Sequence, residues 1–115
     1  MTLLAILSPQ EKRQFELPPK FNNEERTIYF SLTPGLKRSI SRMENYHMRA
    51  GFLLQLAYFR ANARFYPIEK FRKRDIQHVQ AILQCKDINL QKYNSTISSK
   101  HRHKILTQQG WFVRK

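Results

Sequence analysis

Between Tyr46 and Ala63 the chain reads YHMRAGFLLQLAYFRANA, and this stretch narrows the choice of fold more than any other. Met48, Phe52, Leu56, Phe59 and Ala63 recur three to four residues apart, and Leu53, Leu54 and Ala57 widen the stripe. That period belongs to an α-helix, and a stripe this broad is stable only where other elements cover it. The spacing therefore predicts a central, mostly buried helix, with Arg49, Arg60 and Arg64 emerging at its ends.

Shorter helices flank it. Ser8-Pro9-Gln10-Glu11 has the form of a capping box with proline at the first helical position, which predicts a helix to about Phe15, halted by Pro18-Pro19. Asn22-Asn23-Glu24-Glu25 offers a second start and Thr33-Pro34 a third, whose Leu36, Ile40 and Met43 fall at helical spacing. Tyr66-Pro67 ends the central helix, because the residue before proline is pushed out of the α region. Asp75 is then positioned to cap a helix with the stripe Ile76, Val79, Ile82, Leu83, and a short element at Leu90 to Tyr93 follows the Lys86-Asp87-Ile88 turn. Ser98 or Ser99 caps a last helix with Ile105 and Leu106 inward, Gly110 stops it, and Trp111, Phe112 and Val113 fold back as an anchor. Sustained strand alternation and internal repeats are absent. The expected architecture is all-α: a compact bundle of six or seven short helices forming one domain over residues 1–115. Residues 1–66 supply the N-terminal and central helices, and 67–115 a helix-turn-helix-like part with a basic last helix.

Charge indicates the partner. Twenty-one Lys and Arg against eight Asp and Glu give a net charge of +13, the footprint of a chain that meets a polyanion. Ten of the basic residues lie between Lys37 and Arg74, where only Glu44 and Glu69 oppose them. From Lys100 to Lys115 there are five more, with His101 and His103 and no acid. The single Cys85 excludes an internal disulfide and an all-cysteine zinc site, fits a reducing cytoplasmic compartment, and reads as a small apolar filler. The apolar run Leu3 to Leu7 is too short for a signal sequence, and nothing approaches a membrane-spanning length.

Catalytic signals are lacking. The eight acids form no cluster suited to a two-metal pair, and no Ser-His-Asp arrangement, phosphate-cradling glycine loop or dinucleotide fingerprint stands out. His101 and His103 are two apart, hence on different faces of a helix, so no metal site is expected there. Neither a cofactor nor a small-molecule substrate is expected. Most of the phenylalanines and tyrosines sit at helical spacing and read as core; Tyr46 and Tyr93, flanked by polar residues, suit either the core or base stacking. The helix from Asp75, the turn at Cys85 to Ile88 and the element from Asn89 resemble a helix-turn-helix without its usual glycine.

The words ILSPQEKRQFELPPKFNNEERTIYFSL, GFLLQLAYFRANARFYP, DIQHVQAIL and SSKHRHKIL resemble the N-terminal region of transposases of the Tn-three (replicative, class II) family. The chain departs from that pattern at Gln84-Cys85-Lys86, where members usually carry a leucine-glycine-like turn. The resemblance implies a helical domain that recognises the terminal inverted repeats of a transposon. It also implies a longer parent, with a ribonuclease-H-like catalytic core beyond Lys115 and self-association through other regions. The expected partner is thus double-stranded DNA. The expected contacts are Lys73, Arg74, Lys92, Tyr93, Asn94, Ser99, Lys100, Arg102, His103 and Lys104. A stand-alone transcriptional regulator, a protein binding structured RNA and a protein-protein adaptor are the competing readings.

Overall fold

A computed structural model of the chain describes residues 17–93 and 95–109. The described residues contain five α-helices and no strand: α1 (Asn23–Tyr29), α2 (Pro34–Ser41), α3 (Tyr46–Asn62), α4 (Lys73–Leu83) and α5 (Ser95–Gln108), with single 3-10 turns at Ile68–Lys70 and Leu90–Lys92. The all-α class is as the sequence predicts, and the count is slightly lower. The helix expected from Ser8, the Gly110 stop and the Trp111 to Val113 anchor lie outside the described residues.

Helix α3 is the axis of the molecule. Every residue from Ala50 to Phe59 is buried, and α1, α2, α4, α5 and the Leu90–Lys92 turn all pack on it. Phe52, Leu56 and Phe59 lie in the core as their spacing requires, whereas Met48, in the first turn, is only half-buried. Ala63 does not continue the stripe. It is exposed and ends α3 in the left-handed conformation, φ 54°, which turns the chain away before Tyr66 is reached.

Local signals set most of the remaining helix starts. Asn22 Oδ1 accepts from Glu25 N–H and Glu25 Oε1 accepts from Asn22 N–H, closing a capping box. Thr33 caps α2, with Pro34 at its first position. Two starts differ from expectation. Helix α4 begins at Lys73 with no side-chain cap, and Asp75 stands inside its first turn with its carboxylate turned into the core. Helix α5 begins at Ser95, so Ser99 lies within the helix rather than at its cap. Asn94, Ser95, Thr96, Ser98 and Ser99 are all cap-forming types, and sequence alone does not rank them.

The expected helix-turn-helix is not seen among the described residues. The element after the α4 turn is one 3-10 turn of three residues, too short for a recognition helix. The turn itself is a Schellman motif: Cys85 N–H donates to Gln80 O at 3.1 Å and Gln84 N–H to Ala81 O at 3.3 Å. Gln84 occupies the left-handed position, φ 55°, a conformation that ordinarily favours glycine.

Two of the three arginines expected to emerge at the ends of α3, Arg49 and Arg60, turn back instead. Arg60 donates to Tyr29 O and Ser31 O at 3.0 and 2.7 Å, closing the end of α1, and Arg49 donates to Met43 O at 3.0 Å and Ser41 O at 3.3 Å, closing α2. Last-turn carbonyls lack intrahelical partners, and each guanidinium satisfies one of them, Tyr29 O or Ser41 O, together with a carbonyl of the loop that follows.

Candidate nucleic-acid interface

Two polar nodes on one side of α3 fix where the basic residues stand. Gly51, Gln55 and Tyr58 follow one another at spacings of four and three, so they share a face of the helix. At Tyr58 the hydroxyl donates to Asp75 Oδ2 at 2.5 Å and accepts from Arg72 N–H at 3.1 Å. Asp75 Oδ1 accepts from Arg26 Nε at 2.8 Å, and Arg26 also reaches Asn23 Oδ1 and Phe21 O. Asp75 has no solvent exposure, and this cluster joins α1, α3 and α4. The rings of Phe21, Tyr66 and Phe71 enclose Tyr58. Burial, reinforced by the bond to Asp75, pushes the Tyr58 phenol well above its ordinary range.

The second node holds the start of the C-terminal part. Tyr93, expected as either core or surface, is fully buried, and its hydroxyl accepts from Gln55 Nε2 at 3.1 Å and meets His101 Nδ1 at 2.7 Å. The phenol and the imidazole share one proton across this contact, and the His101 tautomer sets which of them donates it. Burial, followed by the charge of Lys104, lowers His101 to about 4, in keeping with a neutral ring. Room for the Tyr93 ring comes from Gly51: a Cβ there would lie 2.6 Å from the ring carbons.

These nodes expose some of the expected contact residues and bury others. Lys73 and Arg74 are exposed at the start of α4. On α5, Ser99, Lys100 and His103 are exposed, and Arg102 and Lys104 are half-buried. A helix turns about 100° per residue, so Lys100, His103 and Lys104 occupy one side while Arg102 stands on the opposite flank with Ser99, to whose Oγ it donates at 3.4 Å. The basic face expected along α5 is therefore two flanks with His103 between them. Lys104 Nζ lies 5.9 Å from the centre of the Phe52 ring, a cation over an aromatic face. Tyr93 belongs to the core rather than the surface; Asn94 and the Lys92 side chain lie outside the described residues.

One feature of the surface was not read from the sequence. Lys20, Phe21, Arg26, Arg72, Lys73 and Arg74 line a cavity of about 360 Å³ beside the start of α4. Arg72 is fixed there by two bonds to Pro18 O, at 2.9 and 2.7 Å. Lys20 is more than fifty residues from Arg72, Lys73 and Arg74 in the chain, too far for a charge run to suggest it. Cys85 is half-buried, with its thiol pushed up by burial and by Asp87, as suits a filler rather than a nucleophile. Among the described residues no group of three His, Cys, Asp or Glu is placed to hold a metal, and no helix is long and apolar enough to cross a membrane.

A protein-family model, Domain of unknown function (DUF4158), matches residues 6–111. No curated protein and no solved structure matches the chain. The family match runs from the first predicted helix past the end of α5, across both polar nodes and both basic regions. The chain belongs to the DUF4158 family.

Proposed function

We propose that this domain binds double-stranded DNA at the terminal inverted repeats of a transposon, as the N-terminal part of a Tn-three-type transposase. The observation that carries the reading is the pair of basic flanks on α5, Lys100 with Lys104 on one side and Arg102 on the other, exposed or half-exposed around His103. A helix in a major groove runs between the two phosphate strands, so lysines on its flank meet phosphates while a long planar guanidinium reaches the base edges. The exposed Lys73 and Arg74 add a second basic region at the start of α4. The resemblance of the four sequence words to the transposase N-terminal region supplies the inverted repeat as the target, and the family match covers the same residues. On this reading the domain holds the end, and cleavage belongs to another part of the parent protein.

The test is a titration of labelled inverted-repeat and scrambled duplexes over a range of salt. If about five phosphates are neutralised, log K should fall against log salt with a slope near −4.5, roughly 500-fold between 50 and 200 mM. Lys100→Gln or Lys104→Gln should weaken all duplexes alike. Arg102→Gln should also narrow the preference for the inverted repeat, since a good bidentate base contact gives about 1–3 kcal/mol of discrimination. A flat salt response, or equal affinity for both duplexes at every salt, would overturn the reading. Preference for A-form RNA, whose deep groove excludes a helix, would replace it with an RNA-binding one.

A further inference from the structure

The cavity beside the start of α4 is lined, among the described residues, by five cationic side chains and Phe21, with no acid among them. The Asp75 carboxylate is completely buried and bonded to Arg26 and Tyr58, so it balances Arg26 and leaves the other four cations without an acid in the lining. Two of the cations are rigid. Arg26 is anchored to Asp75, Asn23 and Phe21, and Arg72 to Pro18. Arg26 is balanced by Asp75, so Arg72 supplies the fixed positive charge at the wall, and the exposed Lys20, Lys73 and Arg74 stand around it. Lys20, Arg72, Lys73 and Arg74 share the cavity with no acid in its lining; such cations repel one another, and an anion relieves that repulsion. The backbone N–H groups that open α4 add a positive partial charge at the same end.

We infer that this cavity is the seat of one backbone phosphate of duplex DNA, held by Lys20, Lys73 and Arg74 against the fixed charge of Arg72. The inference rests on the DNA-binding reading above but concerns a different surface from α5. The seat sits directly on the Asp75 node, so a phosphate there would fix the orientation of the whole helical core on the duplex, while α5 reads or follows the groove.

Two measurements on the same protein test it. In the first, inorganic phosphate is titrated while backbone amide shifts are followed. Saturable shifts at Lys73 and Arg74 are expected, lost in a Lys20→Gln/Lys73→Gln double variant and retained in Lys86→Gln, which removes an exposed cation elsewhere. In the second, duplex binding is measured against salt: the double variant should lower affinity about tenfold at 150 mM salt and reduce the slope by about 0.9, the value of one phosphate. Both substitutions are at exposed positions, and Arg26 and Arg72 are left in place because they hold the fold. Unmoved Lys73 and Arg74 amides, together with an unchanged salt slope in the double variant, would overturn the seat while leaving DNA binding by α5 intact. Saturable phosphate binding by a protein that fails to bind duplex would instead overturn the duplex assignment, and the proposed function with it.

Discussion

The two polar nodes lie at successive turns of one face of α3, yet they are built from opposite chemistry. The node at Tyr58 contains an ion pair, with Asp75 accepting from a guanidinium and a phenol while completely buried. The node at Gln55 is a neutral relay from amide to phenol to imidazole. A buried ion pair contributes little net stability over an apolar filling, but removing one partner strands the other at high cost. A neutral relay costs less to bury and depends on each proton staying where it is. The α1–α4 joint is therefore sensitive to substitution, and the attachment of α5 is sensitive to acid.

Breaking the first node should give the largest effect. Asp75→Ala leaves the Arg26 guanidinium buried without its carboxylate and should cost about 3–5 kcal/mol, read as a shift of the urea midpoint. A loss below about 1 kcal/mol would mean that water replaces the carboxylate and that the node is not dry.

Acid sharpens the contrast. His101 titrates near 4 in the folded chain against about 6.5 unfolded, so between those values the unfolded state takes up a proton that the native state refuses. This contribution to stability is complete above about pH 6.5 and is lost as the pH falls toward 4, on the order of 2 kcal/mol once partial solvent screening is allowed for. His78, also lowered by burial, acts in the same direction. His101→Asn keeps an acceptor near the position of Nδ1 and should flatten the profile between pH 6.5 and 4. An equally steep profile in that variant would assign the acid sensitivity elsewhere.

The smallest expected effect is that of Tyr93→Phe, which keeps the ring against Gly51 and removes only the hydroxyl between Gln55 and His101. A loss of about 1–2 kcal/mol is expected, with His101 easier to protonate once its Nδ1 partner is gone. The imidazole titration followed by NMR should move upward; a downward movement would show that the phenol had been stabilising the charged ring.

Much of the scaffold was legible because it is local. The α3 stripe, the Asn22–Glu25 box and the Thr33-Pro34 start each lie within a few residues and predict their helices correctly. The nodes were not legible in the same way: Asp75 is joined to Arg26 across 49 positions and Tyr93 to Gln55 across 38. A subtler signal was present. Asp75 is in phase with Val79, His101 with Ile105, and Gln55 with Phe52 and Phe59, so each polar group lies on an apolar stripe. A polar residue in that phase calls for a buried partner. Likewise, Gly51 inside the central stripe marks a close approach, here by Tyr93. The candidate contacts divided along the same line: Lys73, Arg74, Ser99, Lys100 and His103 are exposed as their polar settings suggest, whereas Tyr93 is taken into the core by a partner that its own neighbours do not reveal.

The arginines that grip backbone carbonyls imply a division of labour between the two basic residue types. Arg26, Arg49, Arg60 and Arg72 each act as a bolt between segments, and a lysine could not make the same paired bonds from a planar fork. A version of this chain with every arginine exchanged for lysine would carry the same formal charge and look alike to a distant polyanion. It would nonetheless lose the bolts at the ends of α1 and α2 and at Pro18. The bulk charge that attracts a partner and the guanidinium geometry that gives the partner something rigid to dock on are thus written in different letters of the same sequence.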